Sequence, residues 1–261
     1  MKMRLNWSKQ TLIFGITAAW SLALISCVAA NRTVVAAPKI AGATYVGNKE
    51  CVQCHEEQVG HFDTATHNRL GLSDAKVGDT GCEACHGPGS VHAAAGGGKG
   101  SIVNPGKSPE TCFQCHLDKR GQFTLPYAHP VLAGQVTCAD CHDAHQGHVV
   151  KRSGADLEAA NETCTKCHPA QKGPFVFKHN AMLEGCTICH NPHGSVNNKM
   201  LVARDNNLCL RCHLEHQAVA GNGTIMAGGE DHRGRMQQGN CWAAGCHEDV
   251  HGSNASKAMR Y

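Results

Sequence analysis

The chain has 261 residues, with 17 cysteines and 19 histidines, but only 5% aromatic residues and a formal net charge of +3. So few aromatic side chains, together with 29 glycines, exclude an ordinary large core built from side chains alone. The weak positive charge forms no basic stripe, which argues against nucleic-acid binding.

Residues 1–30 have the pattern of an export signal. Lys2, Arg4 and Lys9 precede an uncharged stretch, residues 11–30, which is typical of a secretory signal peptide and predicts a periplasmic protein. Residues 24–27 resemble a lipobox, so Cys27 is a candidate lipidation site of a lipoprotein signal. Ordinary cleavage nearby would discard Cys27, and an uncleaved membrane anchor is a third interpretation. Residues 31–46 are then a linker.

The other sixteen cysteines lie in one repeated motif. Cys-x-x-Cys-His occurs seven times, and an eighth copy has two extra residues between its cysteines. In such motifs both thiols attach covalently to haem and the histidine binds the iron. Paired cysteines also occur in zinc ribbons, but the adjacent histidine in every copy disfavours zinc. The predicted attachment residues are Cys51, Cys54, Cys82, Cys85, Cys112, Cys115, Cys138, Cys141, Cys164, Cys167, Cys186, Cys189, Cys209, Cys212, Cys241 and Cys246.

The motif histidines are the predicted proximal iron ligands. They are His55, His86, His116, His142, His168, His190, His213 and His247. The chain is therefore predicted to bind eight covalent c-type haems. The widened eighth motif, at Cys241, leaves the alternative of a degenerate pair without haem.

The motifs alternate between two kinds. Odd-numbered motifs follow a helix-capping residue, such as Asn48 before Cys51, and are predicted to lie on short helices. Even-numbered motifs have additional histidines on both sides. The pattern predicts four two-haem units in an octahaem domain, residues 47–261, with unit bounds 47–106, 107–159, 160–204 and 205–261.

The additional histidines supply a second set of candidate ligands. The predicted distal iron ligands are His67, His92, His129, His145, His179, His193, His232 and His251. His61 is the alternative to His67. The spacing does not say which distal histidine serves which iron.

The predicted fold is a multihaem cytochrome c. Short α-helices and irregular coil are expected to wrap around a chain of covalent haems, with little or no β-sheet. The macrocycles would supply the apolar volume that the side chains lack, so folding should depend on haem attachment.

Two segments carry a family resemblance. Residues 81–92 and residues 189–195 resemble motifs of the MtrA/DmsE family, the periplasmic multihaem cytochromes of metal-respiring bacteria. Members typically bind ten haems, so eight motifs make the chain more similar to the octahaem OmaB/OmaC type of porin–cytochrome conduits. The resemblance implies a porin-like outer-membrane β-barrel and an outer-surface multihaem cytochrome as partners, with periplasmic or inner-membrane electron donors.

If two histidines bind every iron, no coordination position is open to a substrate. That ligation predicts an electron carrier rather than an enzyme, without catalytic residues. The alternatives are a periplasmic multihaem reductase of a small oxyanion and a subunit of an extracellular cytochrome filament.

Overall fold

The computed structural model describes residues 39–62, 65–71, 81–146, 154–213, 226–227, 230–243 and 245–260. The predicted export signal, Cys27 and the first half of the predicted linker, residues 31–38, lie outside the described residues. Within the described part of the chain, no helix is long and apolar enough to cross a membrane.

The described chain contains short helices joined by irregular segments. The α-helices are α1 Asn48–Val52, α2 Glu56–Phe62, α3 Glu83–His86, α4 Ser90–Ala94, α5 Glu110–Phe113, α6 Leu117–Gln122, α7 Gly154–Thr165, α8 Asn206–Leu210 and α9 Arg233–Met236. Single 3₁₀ turns span Thr66–Gly71, Pro105–Lys107, Cys138–Asp140, Pro169–Gln171, Asn180–Leu183, Cys186–Ile188 and Asn198–Met200.

Strands make up very little of the described chain. β1 Phe177–Lys178 pairs antiparallel with β4 Gly252–Ser253, and β2 Met226–Ala227 pairs antiparallel with β3 Glu230–Asp231. An isolated antiparallel bridge joins Tyr127 to Ser195. Short helices in predominantly irregular chain confirm the predicted fold class.

The odd-numbered motifs share one local structure, whereas the even-numbered motifs do not. All four odd-numbered motifs begin on an α-helix: α1, α5, α7 and α8. Two even-numbered motifs, the fourth and the sixth, begin on 3₁₀ turns, at Cys138 and Cys186. The second motif enters the α-helix α3 directly after Cys82. The prediction that odd-numbered motifs lie on short helices is therefore confirmed.

The predicted capping role of the residues before these helices is wrong. No side-chain cap is formed at the start of α1, α5 or α8. The Asn48 side chain instead accepts a hydrogen bond from the backbone N–H of Cys82 at 2.9 Å. For the Asn48 side chain, an unpaired N–H from a distant part of the chain is as good a donor as the N–H groups of α1, and the tertiary structure brings such a donor within reach.

The same bridge recurs in the two later units. Asn161 accepts from the N–H of Cys186 at 2.9 Å, and Asn206 accepts from the N–H of Cys241 at 2.7 Å. Each asparagine thus ties the helix of an odd-numbered motif to the first cysteine of the following even-numbered motif.

Very few apolar side chains are buried. Among the described residues, the buried aliphatic and aromatic side chains are Ala65, Phe113 and Val131, and Pro88 is buried as well. So few buried residues cannot offset the conformational entropy lost by a chain of this length. The described part of the polypeptide therefore lacks a core of its own, as its composition predicts.

Candidate haem-binding sites

The sixteen predicted iron ligands lie in eight facing pairs, each with one motif histidine and one predicted distal histidine. The ring centroids are 6.0–6.3 Å apart. The pairs are His55–His92, His86–His145, His116–His67, His142–His193, His168–His129, His190–His251, His213–His179 and His247–His232.

This separation matches two imidazoles on opposite sides of one metal ion. Metal–imidazole bonds are about 2.0–2.1 Å long, and a ring centroid lies roughly 1 Å beyond its nitrogen, so the centroids should be about 6 Å apart. Rings in van der Waals contact would lie closer than this when they stack. The spacing therefore leaves room for a metal ion between the rings.

Six of the eight pairs cross a boundary between predicted units. The motif histidine of an even-numbered motif faces a distal histidine from the next unit, as in His142–His193. The motif histidine of an odd-numbered motif faces one from the preceding unit, as in His168–His129. Only the first and last motifs, at His55 and His247, face a histidine of their own unit.

Hydrogen bonds fix the tautomer of several of these histidines. Nδ1 of His129 lies 2.7 Å from the carbonyl oxygen of Pro192, and Nδ1 of His179 lies 2.8 Å from that of Val250. Because a carbonyl oxygen only accepts, Nδ1 must carry the proton. The lone pair of Nε2 is then free to bind a metal.

The motif histidines of three even-numbered motifs are held in the same way. Nδ1 of His86, His190 and His247 donates to the carbonyl oxygens of Val103, Lys199 and Ala258, respectively. His92 and His232 donate to carbonyl oxygens within their own units. Backbone carbonyl groups are common outer partners of metal-binding histidines.

The attachment thiols of the two motifs in a unit are neighbours. A hydrogen bond from Cys138 lowers the pKa of the Cys112 thiol to about 7, and one from Cys164 does the same for Cys186. Burial, with a smaller effect of the Cys82 thiol, raises the pKa of Cys51 to about 11. Burial and the nearby Cys241 raise the pKa of Cys209 to about 12. Thioethers carry no proton, so after attachment these contacts matter as measures of proximity.

The second cysteine of an even-numbered motif lies near the next motif across each unit boundary. Burial raises the pKa of Cys85, and the charge of Cys115 adds to the effect. Burial also raises the pKa of Cys141 and of Cys189, with further effects of Cys164 and Cys167 on the first and of Cys212 on the second. Motifs that follow one another in sequence are therefore neighbours in space at every boundary.

A cavity borders the residues that would hold the fourth haem. Its volume is about 400 Å³, and its lining includes Cys141, His142 and His193, the apolar side chains of Pro192 and Val202, and Cys164 and His190 of the fifth and sixth motifs. Thiol, motif histidine and facing histidine thus border one space. Among the described residues, no cluster of three or more His, Cys, Asp or Glu groups could hold a bare metal ion. A haem brings four nitrogen ligands and requires two from the protein, which is what each pair offers.

Two family models match parts of the sequence. The doubled CXXCH motif matches residues 179–218, and the family of cytochrome c554 and c-prime matches residues 23–87. The chain is a multihaem c-type cytochrome. Covalent haem attachment through its Cys-x-x-Cys-His motifs follows from this family evidence.

Individual relatives match over limited lengths. The multiheme cytochrome MtrA of Shewanella baltica (strain OS185) is 32% identical over 82 residues, which are 28% of this chain and 25% of that protein. A solved structure, the undecaheme cytochrome from the S-layer of Carboxydothermus ferrireducens, is 26% identical in sequence. The match covers 56% of the present chain and 25% of the Carboxydothermus chain, with a TM-score of 0.15. The cytochrome therefore matches about a quarter of either relative.

The structure adds one buried residue that the sequence pattern did not single out and that holds two parts of the site together. Glu83 is only 2% exposed, and its carboxylate accepts hydrogen bonds from the N–H groups of Val46, Gly47 and Gly89. It holds the segment before the first motif against the second motif. Its position between two haem-attachment cysteines was the only signal, and a glutamate there is ordinarily exposed.

Proposed function

We propose that this cytochrome is an electron relay that holds eight haems, each bound through two histidines. The observation that carries the proposal is the set of eight histidine pairs at 6.0–6.3 Å. When bound, haem supplies a one-electron change between ferric and ferrous iron. The two histidines of each pair would hold one iron between them, which would leave no position for substrate and keep the same protein ligands in both oxidation states.

The attachment thiols support a continuous path in sequence order. Within units, the first cysteines of successive motifs are neighbours, as in Cys112 and Cys138. Between units, second cysteines of even-numbered motifs lie near the next motif, as in Cys85 and Cys115. Thioether edges of consecutive haems would therefore be close at every step. A relay needs this arrangement.

The reductase alternative is tested by voltammetry of the purified holoprotein on an electrode. The relay predicts reversible reduction and reoxidation of all haems and no catalytic current when nitrite, sulfite or another small oxyanion is added. A catalytic current that scales with oxyanion concentration would contradict the relay and support the reductase.

The filament alternative is tested by electron microscopy of the purified holoprotein. The conduit relay predicts discrete particles without regular polymers. Filaments built of this cytochrome would contradict the conduit and support the filament.

We further propose that the relay works in the periplasm at the outer membrane, within a porin–cytochrome conduit. The support is the export pattern of residues 1–30 and the 32% identity to the Shewanella MtrA over 82 residues. The partners would be a porin-like β-barrel and an outer-surface multihaem cytochrome, with periplasmic or inner-membrane donors.

Detergent extraction of outer membranes, followed by purification and mass spectrometry, tests the conduit. A stoichiometric β-barrel partner is expected, and the same spectrum reports haem count and lipidation of Cys27. Recovery of the cytochrome only in the soluble periplasmic fraction would contradict the conduit and leave a free shuttle.

A further inference from the structure

The boundaries between predicted units two and three and between units three and four are built alike. Clip 3–4 consists of residues 177–179 and 250–253, and clip 2–3 of residues 127–129 and 192–195. In clip 3–4, β1 pairs with β4 in the register Phe177 to Ser253. In clip 2–3, Tyr127 and Ser195 exchange both backbone hydrogen bonds, at 3.2 and 2.8 Å.

Each clip contains two of the distal histidines, and they are bonded to one another's segments. In clip 3–4, His179 donates through Nδ1 to the carbonyl oxygen of Val250, the residue before His251. In clip 2–3, His129 donates to the carbonyl oxygen of Pro192, the residue before His193. A shift of either segment therefore moves both rings.

The two histidines of a clip face motif histidines of two successive motifs. In clip 3–4, His251 faces His190 of the sixth motif, and His179 faces His213 of the seventh. In clip 2–3, His193 faces His142 and His129 faces His168, of the fourth and fifth motifs.

A glycine and a serine follow the second histidine of each clip, His193 or His251, and determine the shape of the clip. Gly194 and Gly252 have φ of +153° and +149°. A Cβ on Gly194 would overlap the backbone carbonyl of Gln122, and one on Gly252 would overlap the side chain of Phe175, each of which precedes the facing segment in the chain. Residues with a Cβ rarely adopt such φ values, and only glycine lets the chain after the histidine come this close to its neighbours.

The serines close the turn behind each glycine. The hydroxyl of Ser195 donates to the carbonyl oxygen of Leu201 at 2.6 Å, and that of Ser253 donates to the carbonyl oxygen of Arg260. Both are buried, at 8% and 1% exposure. The sequence His-Gly-Ser at each site is thus a repeated structural element.

We propose that each clip positions two iron ligands at once, so that Gly194 and Gly252 are positioning residues for haem pairs four–five and six–seven. Each glycine would position the irons indirectly, through the histidine that precedes it and the histidine on the facing segment of the clip. The inference rests on the proposed histidine ligation.

The test is carbon monoxide titration of the reduced, full-length holoprotein, followed by its Soret absorption. Wild type and the control Gly60→Ala, at an exposed helical glycine with open space around it, should bind none. Gly252→Ala should bind two equivalents, and His251→Ala and His179→Ala one each, with haem content unchanged. The triple variant should still bind two, because all three changes open the same two irons.

Each other outcome has a distinct meaning. Carbon monoxide binding by wild type would overturn the proposed ligation itself. One equivalent or none in Gly252→Ala, or four in the triple variant, would overturn the clip while leaving the ligation intact.

If Gly252→Ala does not accumulate, Ser253→Ala replaces it, because this change removes the hydroxyl bonds without adding volume. Equal carbon monoxide binding at haems six and seven is expected. Binding at only one of them, or at neither, would contradict a shared clip.

Discussion

Replacement of His193 by alanine should open the iron of the fourth haem, although His193 lies in the third predicted unit. His193 faces His142 with ring centroids 6.0 Å apart, and both border the same cavity. Its removal takes away one of sixteen proposed axial ligands. About one of eight irons should therefore become high-spin when oxidised and bind carbon monoxide when reduced.

The assay is Soret difference spectroscopy of the reduced protein with carbon monoxide, together with electron paramagnetic resonance of the oxidised protein. The expected change is one equivalent of carbon monoxide per protein, against none in wild type. His61→Ala is the matched control, because His61 is exposed and lies outside the eight pairs.

A second variant identifies the opened iron. Loss of both Cys138 and Cys141 removes the fourth haem, so in combination with His193→Ala it should abolish carbon monoxide binding. The cross-unit assignment would be refuted if binding survived this combination and disappeared instead when Cys186 and Cys189 were replaced.

Three further outcomes are expected. His67→Ala should abolish the most anisotropic low-spin signal in the electron paramagnetic resonance spectrum. The His67 ring lies at 83° to the ring of His116, and near-perpendicular ligand planes leave two iron orbitals almost degenerate. Loss of a different signal would contradict the pairing of His67 with His116. Replacing both Cys241 and Cys246 should lower the intact mass by one haem, and an unchanged haem count would mean that the widened motif carries none. Glu83→Gln should lower the free energy of unfolding, followed by thermal denaturation, by about 1–3 kcal/mol, because an amide NH₂ would then face backbone N–H groups. Glu56→Gln, at an exposed position of α2, is the control and should lower it by nothing measurable. Equal effects of the two changes would argue against a stabilising role of the buried carboxylate.

The members of the candidate sites were proposed from sequence because every member lies in a repeat, and their role as haem ligands stays a prediction. Each motif fixes its own cysteines and histidine, and the recurrence of extra histidines singled out the eight that face them in the structure. His67 faces His116, as a histidine chosen over His61 for the role of distal ligand would have to do.

The partnership between histidines could not be predicted, because it depends on tertiary structure. His145 follows the fourth motif by three residues, yet it faces His86 of the second. A repeat in sequence suggests self-contained units, whereas here each boundary is shared by two of them. The predicted unit bounds remain a description of the sequence.

The capping role predicted for Asn48 was mistaken for the same reason. An asparagine before a helix usually caps it, and local sequence contains no sign of another partner. The N–H of the next motif's first cysteine becomes the partner of Asn48, as of Asn161 and Asn206, only once the chain has folded. Local patterns therefore predicted the helices of the odd-numbered motifs correctly and the partner of Asn48 incorrectly.

The central claim is that eight pairs of histidines ligate eight irons. Near-infrared magnetic circular dichroism of the oxidised holoprotein, with intensities referred to the haem content from intact mass, tests it most directly. The account predicts that every haem contributes a low-spin band of bis-imidazole ligation. A stoichiometric high-spin band, or a band of histidine–methionine ligation at any haem, would contradict it.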